Sequence, residues 1–139
     1  MRQFDLIIIG SGPGGYNAAH YAAKEGLQVA IVESRTAGGT CLNIGCIPTK
    51  SLAHDAELVG ESQLTSEEKA EAFVRAMQRK EGVVRQLVEG VETLLSQPGI
   101  TFIHGSAAFK DAHTITVEGE DIEGKNILIA GATGLIGSC

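Results

Sequence analysis

The sequence lacks any run of lysine or arginine, and its formal net charge is -6 at pH 7 over 139 residues. Such a chain repels phosphate backbones and anionic lipid surfaces, so it carries no electrostatic footprint for nucleic acid or membrane. A long apolar run is also missing. The first one, residues 6–9, starts almost at the initiator methionine and is far too short for a signal-peptide core or a spanning helix. A soluble cytoplasmic protein is expected, with small molecules or proteins as partners. Cysteine is scarce, at three residues, and in the cytoplasm a lasting structural disulfide is disfavoured. Cys41 and Cys46 therefore read as reactive or metal-binding, with Cys139 left over at the terminus. No second cysteine pair or close histidine pair completes a zinc set, and unpaired structural cysteines stay open as an alternative. Internal repeats and linker-like tracts are absent as well.

What the chain has in excess is glycine, at 18 residues, against a hydrophobic content of 43% that suffices for one packed domain. The glycines bunch at positions 10–15, 38–39 and 131–137, which marks special turns rather than disorder. Residues 4–9 form a short apolar run ending in glycine and predict a strand buried on both faces. A helix is expected over 14–25, where Ala18, Ala19, Ala22 and Ala23 share one face and Gly26 ends it. Residues 28–32 predict a second strand. Residues 34–56 read as a loop that enters a helix over 46–57, and the spacing of Phe73, Met77, Val84, Leu87, Val91 and Leu94 predicts a long helix over 66–96. That helix is expected to pack on its own domain rather than in a coiled coil. Four strand-like runs, 100–104, 107–110, 113–118 and 125–130, predict a small meander returning to the sheet. The whole reads as an α/β, Rossmann-like domain with a central parallel sheet, flanking helices and an antiparallel β-meander.

Gly10, Gly12 and Gly15 satisfy G-x-G-x-x-G directly after a predicted strand and before a predicted helix. Gly10 permits the tight turn, Gly12 lets backbone approach a pyrophosphate, and Gly15 lets helix and strand pack closely, while free amides at the helix start favour an anion. Glu33, at the end of the second strand, is placed to accept a hydrogen bond from a ribose hydroxyl, and its charge disfavours a 2′-phosphate. FAD and NAD are not separated by this pattern alone.

Cys41 and Cys46 stand five positions apart. In regular helix that is a rise of about 7.5 Å, beyond the roughly 7 Å between Cα atoms that a disulfide tolerates. A bridge between them needs irregular backbone, and Gly45 and Pro48 are compatible with a distorted helix start. A thiolate at a helix N-terminus is stabilised for exchange. Lys50, one helical turn past Cys46, can bring an ammonium near a thiolate or an anionic ring, or is an ordinary solvated lysine.

The run G-S-G-P-G-G-Y-N-A-A from Gly10, the acidic Glu33 and the segment G-G-T-C-L-N-I-G-C-I-P-T-K over 38–50 together resemble the pyridine nucleotide-disulfide oxidoreductases, in the version of the dihydrolipoamide dehydrogenases. The resemblance extends more loosely to about residue 130. It implies that Gly10, Ser11, Gly12, Pro13, Gly14, Gly15, Glu33 and Ser34 hold the FAD pyrophosphate and adenosine ribose. It places Gly39, Thr40 and Lys50 along the flavin and Ala107 against the adenine. It implies further that Cys41 is the interchange thiol for a dihydrolipoamide or lipoyl-carrying substrate, that Cys46 is the thiol beside the flavin, and that NAD+ receives the hydride.

The family's NAD-binding and dimer-interface domains are expected to be absent from this chain, which then is a partial FAD-binding domain and a possible homo-oligomer. A non-catalytic, self-associating flavin-binding module, or a reductase for glutathione, mercuric ion or a second nicotinamide, is the alternative. His20 and Glu25 match the spacing of the family's proton-relay pair by coincidence, since they lie on the helix after the fingerprint and lack its proline. His54, His104 and His113 have no partner pattern and are expected to be surface or core residues. After Ala130 the family's usual I-A-T-G is altered, and residues 131–137 fit a second glycine-rich turn with no helix after it.

Overall fold

The computed structural model describes residues 1–131; the rest of the altered tail, with Cys139, lies outside the described residues. The elements run β1 (Arg2–Ile9), α1 (Pro13–Lys24), β2 (Val29–Glu33), α2 (Gly39–Ile44), α3 (Cys46–Gly60), α4 (Ser66–Leu95), β3 (Ile100–His104), β4 (Ala107–Phe109), β5 (Thr114–Val117) and β6 (Glu120–Ile129). One sheet holds the strands in the order β3-β2-β1-β6-β5-β4. The first four are mutually parallel, and β6, β5 and β4 continue the sheet antiparallel. This is the expected α/β class, with a central parallel sheet, flanking helices and an antiparallel meander.

Alternation along the strands sorts side chains onto two faces. Ile8, Val29 and Ile31 meet Ala19 and Ala22 of α1, Leu42 of α2, and Val91 and Leu95 of α4. Ile7, Ile9, Ala30 and Val32 meet Ile115 and Val117 of β5 and Ile122 of β6. Helices thus cover one face of the parallel strands, and apolar side chains of β5 and β6 pack against the other. Every residue of β2 is buried, which is why its sequence is an apolar run and not an alternation. Side chains such as Ile7, Ile8 and Ile31, with no exposed surface, each contribute roughly 1.5–3 kcal/mol by burial, and that fixes the strand ends that carry the site.

Helix α4 starts at a capping box: Thr65 Oγ1 accepts from Glu68 N at 3.2 Å while Thr65 N donates to Glu68 Oε2 at 2.8 Å. Its middle is tied to α3, where Arg79 Nε donates to Asp55 Oδ2 at 2.9 Å and Nη2 to the Ser51 carbonyl at 3.0 Å.

Three expectations differ from the structure. Residues 100–104 are not part of the meander; β3 pairs parallel with β2 at the outer edge of the sheet. Strand β6 begins at Glu120, not at 125, and lies in constant parallel register on β1 from Arg2↔Ile122 to Ile9↔Ile129. Its first half is rich in acidic residues and glycine, which hides a strand, and Gly124 is there because a Cβ would come closer than 3.0 Å to the Ile7 side chain. The loop ahead of Cys46 contains the six-residue helix α2, bounded by Gly38 and Gly45 and too short to show as a periodic pattern.

Candidate functional site

All four parallel strands end at one edge of the sheet, where an open α/β sheet binds ligands. Past those ends lies an open cleft of about 500 Å³, walled by the Gly10–Pro13 turn, Glu33 and Ser34, the start of α2, Gly105 to Ala107, and Ala130 with Gly131. Backbone hydrogen bonds stitch the walls together. Gly10 N donates to the Val32 carbonyl at 2.8 Å, Gly105 N to the Glu33 carbonyl at 2.9 Å, Gly38 N to the Ser11 carbonyl at 3.1 Å and Gly131 N to the Ile9 carbonyl at 2.9 Å.

The glycines of the fingerprint do different work. Gly10 has φ +100, and a Cβ on Gly15 would fall closer than 3.0 Å to the Gly10 carbonyl oxygen, so α1 sits against the end of β1 only because Gly15 has no side chain. Gly12 is the N-cap of α1, has ordinary φ, and a Cβ there would meet nothing nearer than the Gly39 Cα at 4.0 Å. The fold itself does not need glycine at position 12; the open space above it belongs to the cleft.

Glu33 is 9% exposed. Its Oε2 accepts from Ser11 N at 3.0 Å and from Ser11 Oγ at 2.7 Å, and its Oε1 accepts from Arg35 N at 2.9 Å. Burial is the largest single influence on this carboxyl and pushes its pKa up, but the Ser11 hydroxyl and the backbone N–H groups of Ser11, Arg35 and Ser34 together outweigh it and hold the group below its ordinary 4.5. A carboxylate offers about four acceptor positions, so capacity remains for a ligand hydroxyl. Because the folded-state pKa is the lower one, Glu33 contributes stability that is fully present above pH 4.5 and disappears as pH falls through the folded-state value. The urea midpoint of the wild-type chain is therefore expected to fall below pH 4.5, and the Glu33→Gln difference to shrink over that range. A difference that stays constant with pH would show that Glu33 does not titrate with folding. Asp5, Glu68, Asp111 and Asp121 are also held low, by hydrogen bonds to Lys125, Thr65, His113 and Lys110 respectively, so the comparison with the variant is what isolates Glu33.

Cys41 and Cys46 are disulfide-bonded with Cα atoms 4.6 Å apart. The irregular backbone is Gly45, at φ -123 and ψ -108, which separates α2 from α3. A side chain on Gly45 would be crowded at 3.0 Å by the Thr40 carbonyl oxygen and at 3.2 Å by the Cys41 Cα. Cys46 is the first residue of α3, the helix-start position expected to favour a thiolate.

The cleft brings together Gly10, Gly12, Pro13, Glu33, Ser34, Gly39, Thr40, Cys41 and Ala107. Ser11 is fully buried with its hydroxyl on Glu33, and Gly15 lies beneath the Gly10 carbonyl. Gly14, Cys46 and Lys50 are exposed and stand outside the cleft wall. Arg35, Asn43 and Ile44 also line the cleft; Asn43 and Ile44 belong to the segment that carries the family resemblance, which assigns them no site role. Asn43 had a signal, being the lone polar side chain between the two cysteines. Among the described residues no group of three or more His, Cys, Asp or Glu side chains is arranged to hold a metal ion, and no helix is long and apolar enough to cross a membrane.

A glycine turn and terminal acid on a parallel sheet, joined to a disulfide at a helix start, define the class, and the comparisons agree. Residues 4–135 match the family of pyridine nucleotide-disulphide oxidoreductases, and the chain belongs to it. Among its relatives, the dihydrolipoyl dehydrogenase of Acholeplasma laidlawii is 40% identical over 136 residues, covering 93% of this chain and 40% of that protein. That of Thermus scotoductus is 42% identical over 135 residues, covering 94% and 29%. Among solved structures, the Cu(II) complex of the HOCl-induced flavoprotein disulfide reductase RclA from Escherichia coli superposes with a TM-score of 0.81 at 39% identity, over 94% of this chain and 29% of that one. The chain therefore spans less than half the length of each.

Proposed function

We propose that this chain is the FAD-binding and dithiol-exchanging part of a dihydrolipoyl dehydrogenase-type reductase. The observation that carries the reading is the single cleft wall that holds both Gly12, whose missing side chain the fold does not require, and Cys41 of the disulfide. The fit to FAD rests on the chain's own groups. The Gly10–Gly15 turn at the N-terminus of α1 suits a pyrophosphate, the buried Glu33 carboxylate suits the ribose, Ser34 lies beside it, and the backbone at Ala107 suits the adenine. Gly39, Thr40 and Lys50 are assigned to the flavin end.

When bound, FAD supplies a two-electron acceptor that passes a hydride to NAD+. The protein's part is thiol–disulfide exchange. A thiolate of dihydrolipoamide attacks the sulfur of Cys41, the Cys41–Cys46 bond breaks, and Cys46 leaves as a thiolate. The second substrate sulfur then closes the lipoamide ring and frees Cys41, so that two electrons have moved to the cysteine pair. The positive end of α3 stabilises the Cys46 thiolate, and Lys50 one turn on adds charge of the same sign. In this scheme the NAD-binding and dimer-interface domains belong to the further length that the relatives have, and the lipoyl partner meets the assembled dimer.

The likeness to RclA favours a second reading, a disulfide reductase with another thiol substrate. Anaerobic addition of dihydrolipoamide to the chain loaded with FAD separates the two. Bleaching of the flavin band by dihydrolipoamide, and not by glutathione at equal thiol concentration, supports the first; bleaching by neither leaves only flavin binding and sinks the dithiol role.

A further inference from the structure

We infer that Asn43 is a positioning residue that keeps the Cys41–Cys46 dithiol poised to re-close after the bridge is reduced. The reason is what else holds α2 in place. Six residues are too few for a self-supporting helix, and α2 has no side-chain cap and no acidic residue in its first turn. Besides the Gly38 N–Ser11 carbonyl hydrogen bond at its start, three side-chain restraints hold it: the disulfide to Cys46, the buried Leu42, and the carboxamide of Asn43. Asn43 Nδ2 donates to the Ala37 carbonyl at 3.0 Å and to the Gly39 carbonyl at 2.9 Å.

Those two carbonyls flank the left-handed pair Gly38 and Gly39, at φ +96 and +68, and a Cβ on Gly39 would come closer than 3.0 Å to the Gly12 Cα. Asn43 thus locks a backbone turn that is pressed against the fingerprint loop. On reduction the bridge goes, and the two Asn43 hydrogen bonds stay beside the Gly38 N–Ser11 carbonyl bond, Asn43 being the side chain that spans the turn from Ala37 to Gly39. A preset geometry raises the effective concentration of one thiol at the other, which favours the disulfide and holds its potential down. The inference rests on the pair cycling between its two states, but it does not need FAD, so its failure is distinct from failure of flavin binding.

The full chain is equilibrated in glutathione buffers, in which one protein disulfide and two glutathiones exchange with one protein dithiol and one glutathione disulfide; the pair is then trapped by alkylation and counted by peptide mass. Asn43→Asp keeps the shape without the donors, and Asn43→Leu removes the donors without adding charge. Both are expected to shift the equilibrium about tenfold toward the dithiol, which is about 30 mV less negative. A shift under twofold in both, or a shift in the aspartate variant alone, overturns the inference. Hydrogen exchange on the wild-type chain adds a test that needs no variant. Protection over 39–44 is expected to fall less than tenfold on reduction, and its collapse to the unprotected rate would overturn the role.

Discussion

Gly15→Ala is expected to destabilise the chain by more than about 3 kcal/mol, or to prevent folding, because the added methyl meets backbone rather than a movable side chain. The Cβ would lie closer than 3.0 Å to the Gly10 carbonyl oxygen, and Gly10 itself is fixed by its hydrogen bond to Val32. Relief would require α1 to lift from β1 and open the core around Ile8 and Ala19. Gly12→Ala is the control. Its Cβ finds open space, so the cost in stability is no more than about 1 kcal/mol, arising from alanine at an N-cap. The same methyl occupies the approach to the free amides of α1, and FAD affinity is expected to fall roughly tenfold or more. Urea melts together with flavin titrations of the two variants check both halves. Equal losses of stability would mean that position 12 is a packing glycine like position 15.

Cys41→Ser and Cys46→Ser are each expected to abolish reduction of added flavin by dihydrolipoamide while leaving flavin uptake within about twofold. Either change removes the Cys41–Cys46 disulfide with which a dithiol exchanges, since serine forms no mixed disulfide. The loop closed by the bridge is short, with a sequence separation of 5, so its loss costs on the order of 2 kcal/mol of stability, against a total of about 5–15 kcal/mol for a domain. The variants should therefore remain folded. Exposure adds a finer test. Cys41 is half-buried in the cleft wall and Cys46 is exposed, so in the reduced chain without flavin Cys46 is expected to alkylate first. First labelling at Cys41 would show that its role as the interchange thiol is already set by this part of the protein.

What was legible in the sequence is what short spacing controls. The turn from Gly10 to Gly15 and the acid at the end of β2 are fixed by the backbone demands of one strand-turn-helix unit. The need for a break between Cys41 and Cys46 follows from helix rise alone, and Gly45 supplies that break. What could not be read depends on partners distant in the chain. Residues 100–104 pair with β2 from Val29↔Ile100 to Glu33↔His104, 71 positions apart in sequence, and nothing local tells a parallel edge strand from a hairpin strand. The acidic start of β6 is a strand because β1 and β5 flank it. The hydrogen bond from the Ser11 hydroxyl to Glu33 depends on β2 lying beside the turn, 22 positions away in sequence. The hydrogen bonds of Asn43 are illegible for the same reason, since its acceptors are in place only when the Gly38–Gly39 turn has its left-handed form.

The most direct test of the central claim, that this cleft holds FAD, is an equilibrium titration of the purified wild-type chain with FAD, followed by flavin absorbance and by the urea midpoint together. Saturable uptake of one FAD per chain, with a rise in the midpoint that Gly12→Ala suppresses, is the predicted result. A wild-type chain that takes up no FAD at concentrations up to its solubility, with an unmoved midpoint, would contradict it.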